Sequence, residues 1–193
     1  MTVIHATDPT TAFLSRLYEE REDLRTRITE SATNSDVTRA IRADDTIMML
    51  GHGTEFGLFS KPDKDGKYKR MLITDRHVEF LRSKTCIGIW CHADKFAKKY
   101  GLQGLFSGMI ISELEEVEIA ENEEKDESGE TKEIHTTQEE IDEENKKFAR
   151  RLKFCLDNYP LNEIPQRMRE LDDVKSELTN YNYNNLYFFE NIK

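Results

Sequence analysis

Two short apolar runs near the middle of the chain set the fold class that this sequence favours. Thr46–Leu50 and Cys86–Trp90 are each almost continuously apolar, which is typical of strands that are buried on both faces. Such strands occur in parallel sheets that carry helices on both sides. Because segments with a helical spacing of apolar residues surround the two runs, the sequence predicts an α/β fold, a three-layer sandwich with a mostly parallel central sheet and helices on both faces.

The rest of the chain completes this sandwich as a single domain over residues 1–193, a length that suits one substantial core. Further strands are predicted at Thr2–Ala6, Arg27–Thr29, Phe56–Phe59, Tyr68–Leu72, Leu105–Ile111 and Asn185–Phe189. Helices are predicted to start near Asp8 or Thr10, near Asn34 or Ser35, after Thr74 and after Cys91, and to include Phe148–Cys155 and Met168–Leu171. The two apolar runs are separated by a predicted hairpin and helix, so we expect them to be parallel neighbours.

The acidic residues are concentrated in one segment of the chain. The whole sequence has a net charge of −10, but Glu113–Glu144 alone carries −14, which leaves +4 for the remainder. The middle of this segment, Asn122–Thr137, has almost no apolar residues, so a mobile acidic loop is predicted at about residues 120–138. Such a loop could shield a site or attract a basic substrate. The negative net charge also argues against general nucleic-acid binding.

Composition indicates a cytoplasmic protein that does not enter membranes. No apolar run approaches the roughly 20 residues that span a bilayer. The opening residues lack the basic and apolar regions of a secretory signal. The three cysteines are odd in number and irregularly spaced, which argues against a disulfide framework and for a reducing compartment.

Reactive side chains follow both apolar runs at the point where each predicted strand ends. The first run leads into Gly51-His52-Gly53, and the second leads into Cys91. The carboxyl ends of parallel strands lie at one edge of a sheet, so His52 and Cys91 are expected to stand side by side. A free thiol has a pKa of about 8.5, and a neighbouring imidazole can take its proton. The backbone N–H groups of Gly53 and Cys91 could form an oxyanion hole.

This arrangement resembles the caspase-like (clan CD) cysteine peptidases, in which an apolar strand ending in His-Gly is followed by an apolar strand ending in Cys. The matching residues are Ile47–Gly53 and Ile87–Cys91, and the resemblance extends over about Asp45–Ser112. It implies that His52 and Cys91 form a catalytic dyad and that the glycine after the histidine helps to bind the oxyanion.

Two departures direct the resemblance toward CHAT-like or bacterial caspase-like domains. Many family members have a small residue before the cysteine, where this chain has the bulky Trp90. The residues after the cysteine, His92-Ala93-Asp94, also differ from those of true caspases. Cleavage specificity therefore cannot be transferred from the family.

The functional hypothesis is a cysteine endopeptidase that cleaves a peptide or protein substrate through an acyl-enzyme, with no metal or organic cofactor. A zinc site at Cys86 and His92 is disfavoured because the chain has no CxxC spacing. Candidates for the substrate pocket come from the third predicted strand and the residues after it, namely Ser107, Gly108, Ser112 and Glu113. An acidic Glu113 there would favour a Lys or Arg side chain of the substrate.

Two other interpretations of the same residues remain open. The chain could be a non-catalytic caspase-like module that binds or regulates with a protein partner. It could also be an unrelated α/β protein in which His52 is a strand-end turn residue and Cys91 is an inert buried thiol. The separation of the two side chains discriminates between these classes, because a catalytic pair must lie within reach of a direct or water-mediated hydrogen bond.

Overall fold

The computed structural model describes residues 1–6, 8–123, 134–171 and 175–190. Its nine strands within these ranges are β1 Thr2–His5, β2 Thr26–Ile28, β3 Thr46–Leu50, β4 Gly53–Thr54, β5 Gly57–Phe59, β6 Met71–Ile73, β7 Thr85–Ile89, β8 Gln103–Ser107 and β9 Leu186–Phe189. Six of them form the central sheet in the order β2-β1-β3-β7-β8-β9, and β4, β5 and β6 form a small antiparallel sheet. In the central sheet every neighbouring pair is parallel except β8 and β9.

Helices cover both faces of the central sheet. They are α1 Asn34–Ala43, α2 Val78–Leu81, α3 Ala93–Tyr100, α4 Glu115–Glu123, α5 Gln138–Asn158, α6 Ile164–Glu170 and α7 Glu177–Asn184, with short 3-10 helices at Ala12–Leu17 and Asp75–His77. Capping boxes fix the starts of α1 and α5. The side chains of Thr33 and Thr137 each accept a backbone N–H of the first turn, and an acidic side chain of that turn accepts the threonine N–H in return.

The predicted three-layer α/β sandwich is confirmed, and so is the parallel pairing of the two apolar runs. Alternate residues of β3 belong to two separate cores. Ile47 and Met49 pack on the side of α1, α2 and α3, whereas Met48 and Leu50 pack on the side of α5 and α6. All four side chains are fully buried, which is why this strand has no polar alternation.

The boundaries of several elements differ from the predictions. β7 begins one residue earlier and ends at Ile89, and β8 ends at Ser107, well before the predicted end at Ile111. The Gly108 N–H still donates to the carbonyl of Asn185, 2.8 Å away, the residue directly before β9, and the regular strand ends there. The helix expected from Asp8 or Thr10 is a 3-10 helix that starts only at Ala12.

The bulky Trp90 fits before Cys91 because two glycines make room for its ring. A Cβ atom at Gly53 would collide with the Trp90 ring, and one at Gly88 would lie 2.7 Å from it. The indole Nε1 donates to the Thr54 carbonyl at 3.1 Å. Trp90 therefore ties the β4–β5 hairpin, which comes directly after His52, to the strand that leads to Cys91.

The predicted acidic loop lies largely outside the described residues, since 124–133 are not among them. At its borders, α4 continues to Glu123, and Ile134 is buried before α5 begins. None of the described helices combines the length and the apolar character needed to cross a bilayer.

Candidate functional site

His52 and Cys91 lie at the same edge of the central sheet. Leu50 of β3 pairs with Ile89 of β7. His52 comes two positions after Leu50, and Cys91 comes two positions after Ile89. Both side chains line one cavity with a free volume of about 20 Å³, which is room for about one water molecule. The cavity is completed by Thr11, Phe13, Leu14, Gly51, Ile89, Trp90, Ile110 and Ser112.

Cys91 occupies the turn between β7 and α3, and this turn is held in an unusual conformation. His92, the next residue, has a left-handed φ of 67°, which for a residue with a Cβ costs about 1–2 kcal/mol. Its backbone N–H donates to the Gly108 carbonyl at 3.2 Å. The turn is thus fixed from the neighbouring strand, so the position of the thiol is defined by the sheet.

Cys91 is the most accessible of the three cysteines. Its side chain is half-buried, whereas Cys86 in β7 and Cys155 in α5 are fully buried. Burial raises the pKa of Cys86 to about 12 and that of Cys155 to about 11. Neither of these two thiols is suited to act as a nucleophile.

The Cys91 sulfur contacts two hydrogen-bond acceptors. It lies 3.5 Å from the Ile110 carbonyl and 3.8 Å from Oε1 of Glu116. Because both partners are acceptors, they hold the sulfur as an S–H donor. In this arrangement the thiol rests against the chain that continues from β8.

His52 is surrounded by oxygen atoms on its Nε2 side. Nε2 lies 2.7 Å from Oγ1 of Thr10, 3.6 Å from Oδ2 of Asp8 and 3.7 Å from Oε1 of Glu113. Burial opposes protonation of His52, but Asp8, together with Glu116 and Glu113, outweighs it, so the pKa of His52 is raised. Burial alone would raise the pKa of Asp8. His52 and the hydrogen bonds from Thr10 and Thr11 nevertheless hold the pKa of Asp8 well below its usual range.

Tyr68 covers the histidine from the loop between β5 and β6. Its ring centroid is 5.4 Å from that of His52, and it stacks on Phe59 at 4.9 Å. Burial, reinforced by the charges of Asp8, Glu113 and Glu116, raises the pKa of Tyr68. Its hydroxyl therefore stays protonated beside the carboxylates.

Gly53 is placed so that its backbone N–H points away from the neighbouring strand. The Phe59 N–H donates to the His52 carbonyl at 2.8 Å, which makes Gly53 and Leu58 a non-hydrogen-bonded pair in the hairpin. A Cβ at this position would lie 2.5 Å from the Gly57 carbonyl oxygen. This geometry is compatible with the predicted oxyanion role of Gly53, which stays a prediction.

The four predicted pocket residues divide into two pairs. Ser107 is fully buried, and its hydroxyl accepts from the Trp90 N–H at 3.0 Å and donates to the Trp90 carbonyl at 2.8 Å. Gly108 supports the cysteine turn through its carbonyl, which accepts the backbone N–H of the residue after Cys91. Ser112, in contrast, lines the cavity, and Glu113 contacts His52. Whether any of the four binds substrate stays a prediction.

Sequence reasoning missed Asp8, Thr10, Tyr68 and Glu116 as members of this site. The signal for Asp8 and Thr10 was present, because they come after β1, whose carboxyl end lies at the same sheet edge beside β3. Tyr68 reaches the site from a loop and Glu116 from the first turn of α4, and neither carries a comparable signal. Within the described residues, no group of three His, Cys, Asp or Glu side chains is arranged to hold a metal ion.

Comparison with known proteins adds no family assignment. No protein-family model matches this chain, and no curated protein matches it at a significant level. The caspase-like interpretation therefore rests on the motif resemblance and on the geometry of the site.

Proposed function

We propose that this protein is a cysteine endopeptidase of the caspase-like type, with His52 and Cys91 as its catalytic dyad. One observation carries the proposal: an imidazole and a partly buried thiol lie just beyond neighbouring parallel strands at the same offset and line one cavity. We further propose that the dyad acts on a peptide or protein substrate. We also propose a cytoplasmic location, since none of the three cysteines forms a disulfide.

The proposed reaction proceeds through a thioester. His52 takes the proton of the Cys91 thiol, the sulfur attacks the scissile carbonyl carbon, and a carbon–sulfur bond forms. The carbon–nitrogen bond then breaks as His52 gives the proton to the departing amine. Water attacks the thioester with His52 as the base, which releases a carboxylic acid and restores the thiol. The Gly53 and Cys91 backbone N–H groups are the proposed donors to the oxyanion.

Substrate access requires the chain around Glu113 and Glu116 to move. The free volume beside the dyad, about 20 Å³, is too small for a peptide, and the two carboxylates contact His52 and Cys91 directly. A Lys or Arg side chain of a substrate would pair with these carboxylates and compete with their present contacts. The negative charge at this edge therefore favours basic peptides.

The small free volume and the carboxylate contacts at the dyad also favour the second candidate, a non-catalytic caspase-like module that works with a protein partner. A thiol held by the Ile110 carbonyl and the Glu116 carboxylate suits a resting or inactive state equally well. The two functions predict different results when the Glu116 charge is removed. A peptidase gains access to its nucleophile, whereas a binding module gains no hydrolytic activity.

Cleavage of a peptide library by variant proteins tests the proposal. We expect Cys91→Ala and His52→Ala to lower cleavage at least about 1000-fold, because nucleophile and base act as a unit. Both residues lie beyond the ends of their strands, so thermal stability should change little. Cys155→Ala, which removes a buried thiol remote from the dyad, is the matched control and should remain active.

Cleavage by Cys91→Ala comparable to that of the unaltered protein would place the active site elsewhere. If neither the unaltered protein nor Glu116→Gln cleaves any member of the library, the non-catalytic module is the better account.

A further inference from the structure

We propose that Asp8 and Thr10 are positioning residues for the dyad, holding His52 with its proton on Nε2 so that Nδ1 exchanges a proton with Cys91. This inference rests on the proposed thiol–imidazole centre and assigns its proton geometry. The residues come from the loop after β1, the third strand whose carboxyl end reaches this edge of the sheet.

The hydrogen-bond capacity of the Thr10 hydroxyl favours one direction for its two hydrogen bonds. A hydroxyl has one proton to donate, and the carboxylate of Asp8 can only accept. We assign the Thr10 hydroxyl proton to Asp8 Oδ1, 2.9 Å away, and the proton of the 2.7 Å contact between Thr10 Oγ1 and His52 Nε2 to the histidine, because the carboxylate oxygen Oδ2 also faces Nε2 and favours an N–H there. Neutral imidazole carries one proton, and the lone pair is therefore on Nδ1.

The Asp8 carboxylate is itself rigidly held. Its Oδ1 accepts the backbone N–H groups of Thr10 and Thr11 at 3.1 and 3.0 Å and the Thr11 hydroxyl at 3.1 Å. Its other oxygen, Oδ2, faces His52 Nε2 at 3.6 Å. The side chains of Asp8 and His52 are only 8% and 12% exposed, so water screens this charge weakly.

This arrangement favours the protonated form of His52 that the reaction needs. When the imidazole takes the Cys91 proton through Nδ1, the positive charge forms beside Asp8, and the Nε2–H remains bonded to Thr10. The raised pKa of His52 and the depressed pKa of Asp8 agree with this interaction. The role is one of orientation and charge stabilisation, because both residues act on the thiol through the imidazole.

Two threonines that share the same carboxylate provide a matched test. Thr10→Val removes the hydroxyl that contacts His52, whereas Thr11→Val removes one that donates to Asp8 Oδ1 and accepts the Asp8 backbone N–H. Thr10→Ser restores the hydroxyl without the methyl group, and Asp8→Asn removes the charge. The readouts are the ¹⁵N shifts of the His52 ring, which report tautomer and pKa, and the rate at which iodoacetamide alkylates Cys91 as pH is varied.

We expect the Nε2-protonated tautomer in the unaltered protein and in Thr10→Ser and Thr11→Val. In Thr10→Val and Asp8→Asn, the His52 pKa should fall and alkylation near neutral pH should slow by about tenfold, the size expected for one charged hydrogen bond. Thr10→Val deletes the two hydrogen bonds of the Thr10 hydroxyl but leaves the backbone N–H bonds that hold the Asp8 carboxylate, so it reports on the proposal even if Asp8→Asn loosens the loop.

The proposal is overturned if Thr10→Val leaves both the tautomer and the His52 pKa unchanged, or if Thr11→Val shifts them equally. Neither readout depends on peptide cleavage. An Nε2-protonated His52 that responds to Thr10 in a protein without peptidase activity would preserve the positioning role and refute the proposed function. Peptide cleavage at the same rate in Thr10→Val as in the unaltered protein would preserve the proposed function and refute the positioning role.

Discussion

Two histidines near the carboxyl ends of neighbouring strands, β1 and β3, have opposite electrostatic environments. His5, the last residue of β1, is fully buried. Its Nδ1 lies 3.1 Å from the Tyr18 hydroxyl, and its Nε2 has no hydrogen-bond partner among the described residues. Burial, together with the charge of Arg27, lowers the pKa of His5 to about 4, whereas the pKa of His52 is raised.

The buried His5 should make the fold sensitive to mild acid. Below about pH 6.5 the unfolded chain protonates this histidine, but the native protein resists until about pH 4. The unfolded state therefore binds more protons, and stability falls as the pH drops through this window, by on the order of 3 kcal/mol. Urea unfolding at pH 7 and pH 4.5 measures the loss, and His5→Leu should remove most of it. Equal losses in both proteins would contradict this account.

Whether a site residue can be predicted from the sequence depends on which structural element brings it to the site. His52 and Cys91 could be predicted because continuous apolar runs mark where buried strands end, and parallel strand ends share one edge. Asp8 and Thr10 obey the same rule, but their local pattern also fits a helix start, and that interpretation was wrong. The Asp8 carboxylate takes the N–H groups of Thr10 and Thr11, so the 3-10 helix begins only at Ala12.

The segment from Ser112 to Glu116 is the element that closes the site. One oxygen of the Glu116 carboxylate accepts the Ser112 N–H at 2.6 Å, the Ser112 hydroxyl at 2.8 Å and the Glu113 N–H at 3.1 Å. The other oxygen lies 3.8 Å from the Cys91 sulfur. A single side chain therefore shapes the start of α4 and contacts the thiol.

Neutralising this carboxylate should make Cys91 more reactive. In Glu116→Gln, the negative charge beside the sulfur is lost, so formation of the thiolate is less opposed. We expect iodoacetamide to label Cys91 several-fold to about tenfold faster, as measured by peptide mapping. Glu115→Gln makes the same charge change on an exposed neighbour and is the matched control. If Cys91 is labelled equally faster in both variants, the cause is the overall negative charge of the segment and not the contact with Glu116. Slower labelling of Cys91 in Glu116→Gln would contradict a closing role.

Tyr68 and Glu116 show where element-level prediction fails. The sequence predicts a hairpin around Tyr68, but the loop geometry that stacks its ring on Phe59 and beside His52 depends on long-range packing. Glu116 belongs to a run of acidic residues whose pattern indicates a solvated segment. Its contact with Cys91 arises because the chain after β8 passes the sulfur at Ile110 before it reaches α4, and this path depends on long-range packing.

At the scale of the whole molecule, the sheet order explains the site. β1, β3 and β7 are consecutive neighbours, so the loops after them bring an acid, an imidazole and a thiol to one edge. The sequence predicts this architecture well, because strands buried on both faces have an unmistakable composition. The antiparallel pairing of β9 and the exact strand ends could not be predicted from the sequence, since they depend on contacts between distant segments such as Gly108 and Asn185.

The central claim is that His52 and Cys91 act together as the nucleophilic centre of this fold. Treating the native protein with a library of peptidyl acyloxymethyl ketones and mapping the adducts by mass spectrometry tests it most directly. The account predicts a single adduct on Cys91, absent in Cys91→Ala and formed far more slowly in His52→Ala, with Cys86 and Cys155 unmodified in their buried positions. Modification of Cys86 or Cys155 ahead of Cys91, or an unchanged rate in His52→Ala, would contradict it.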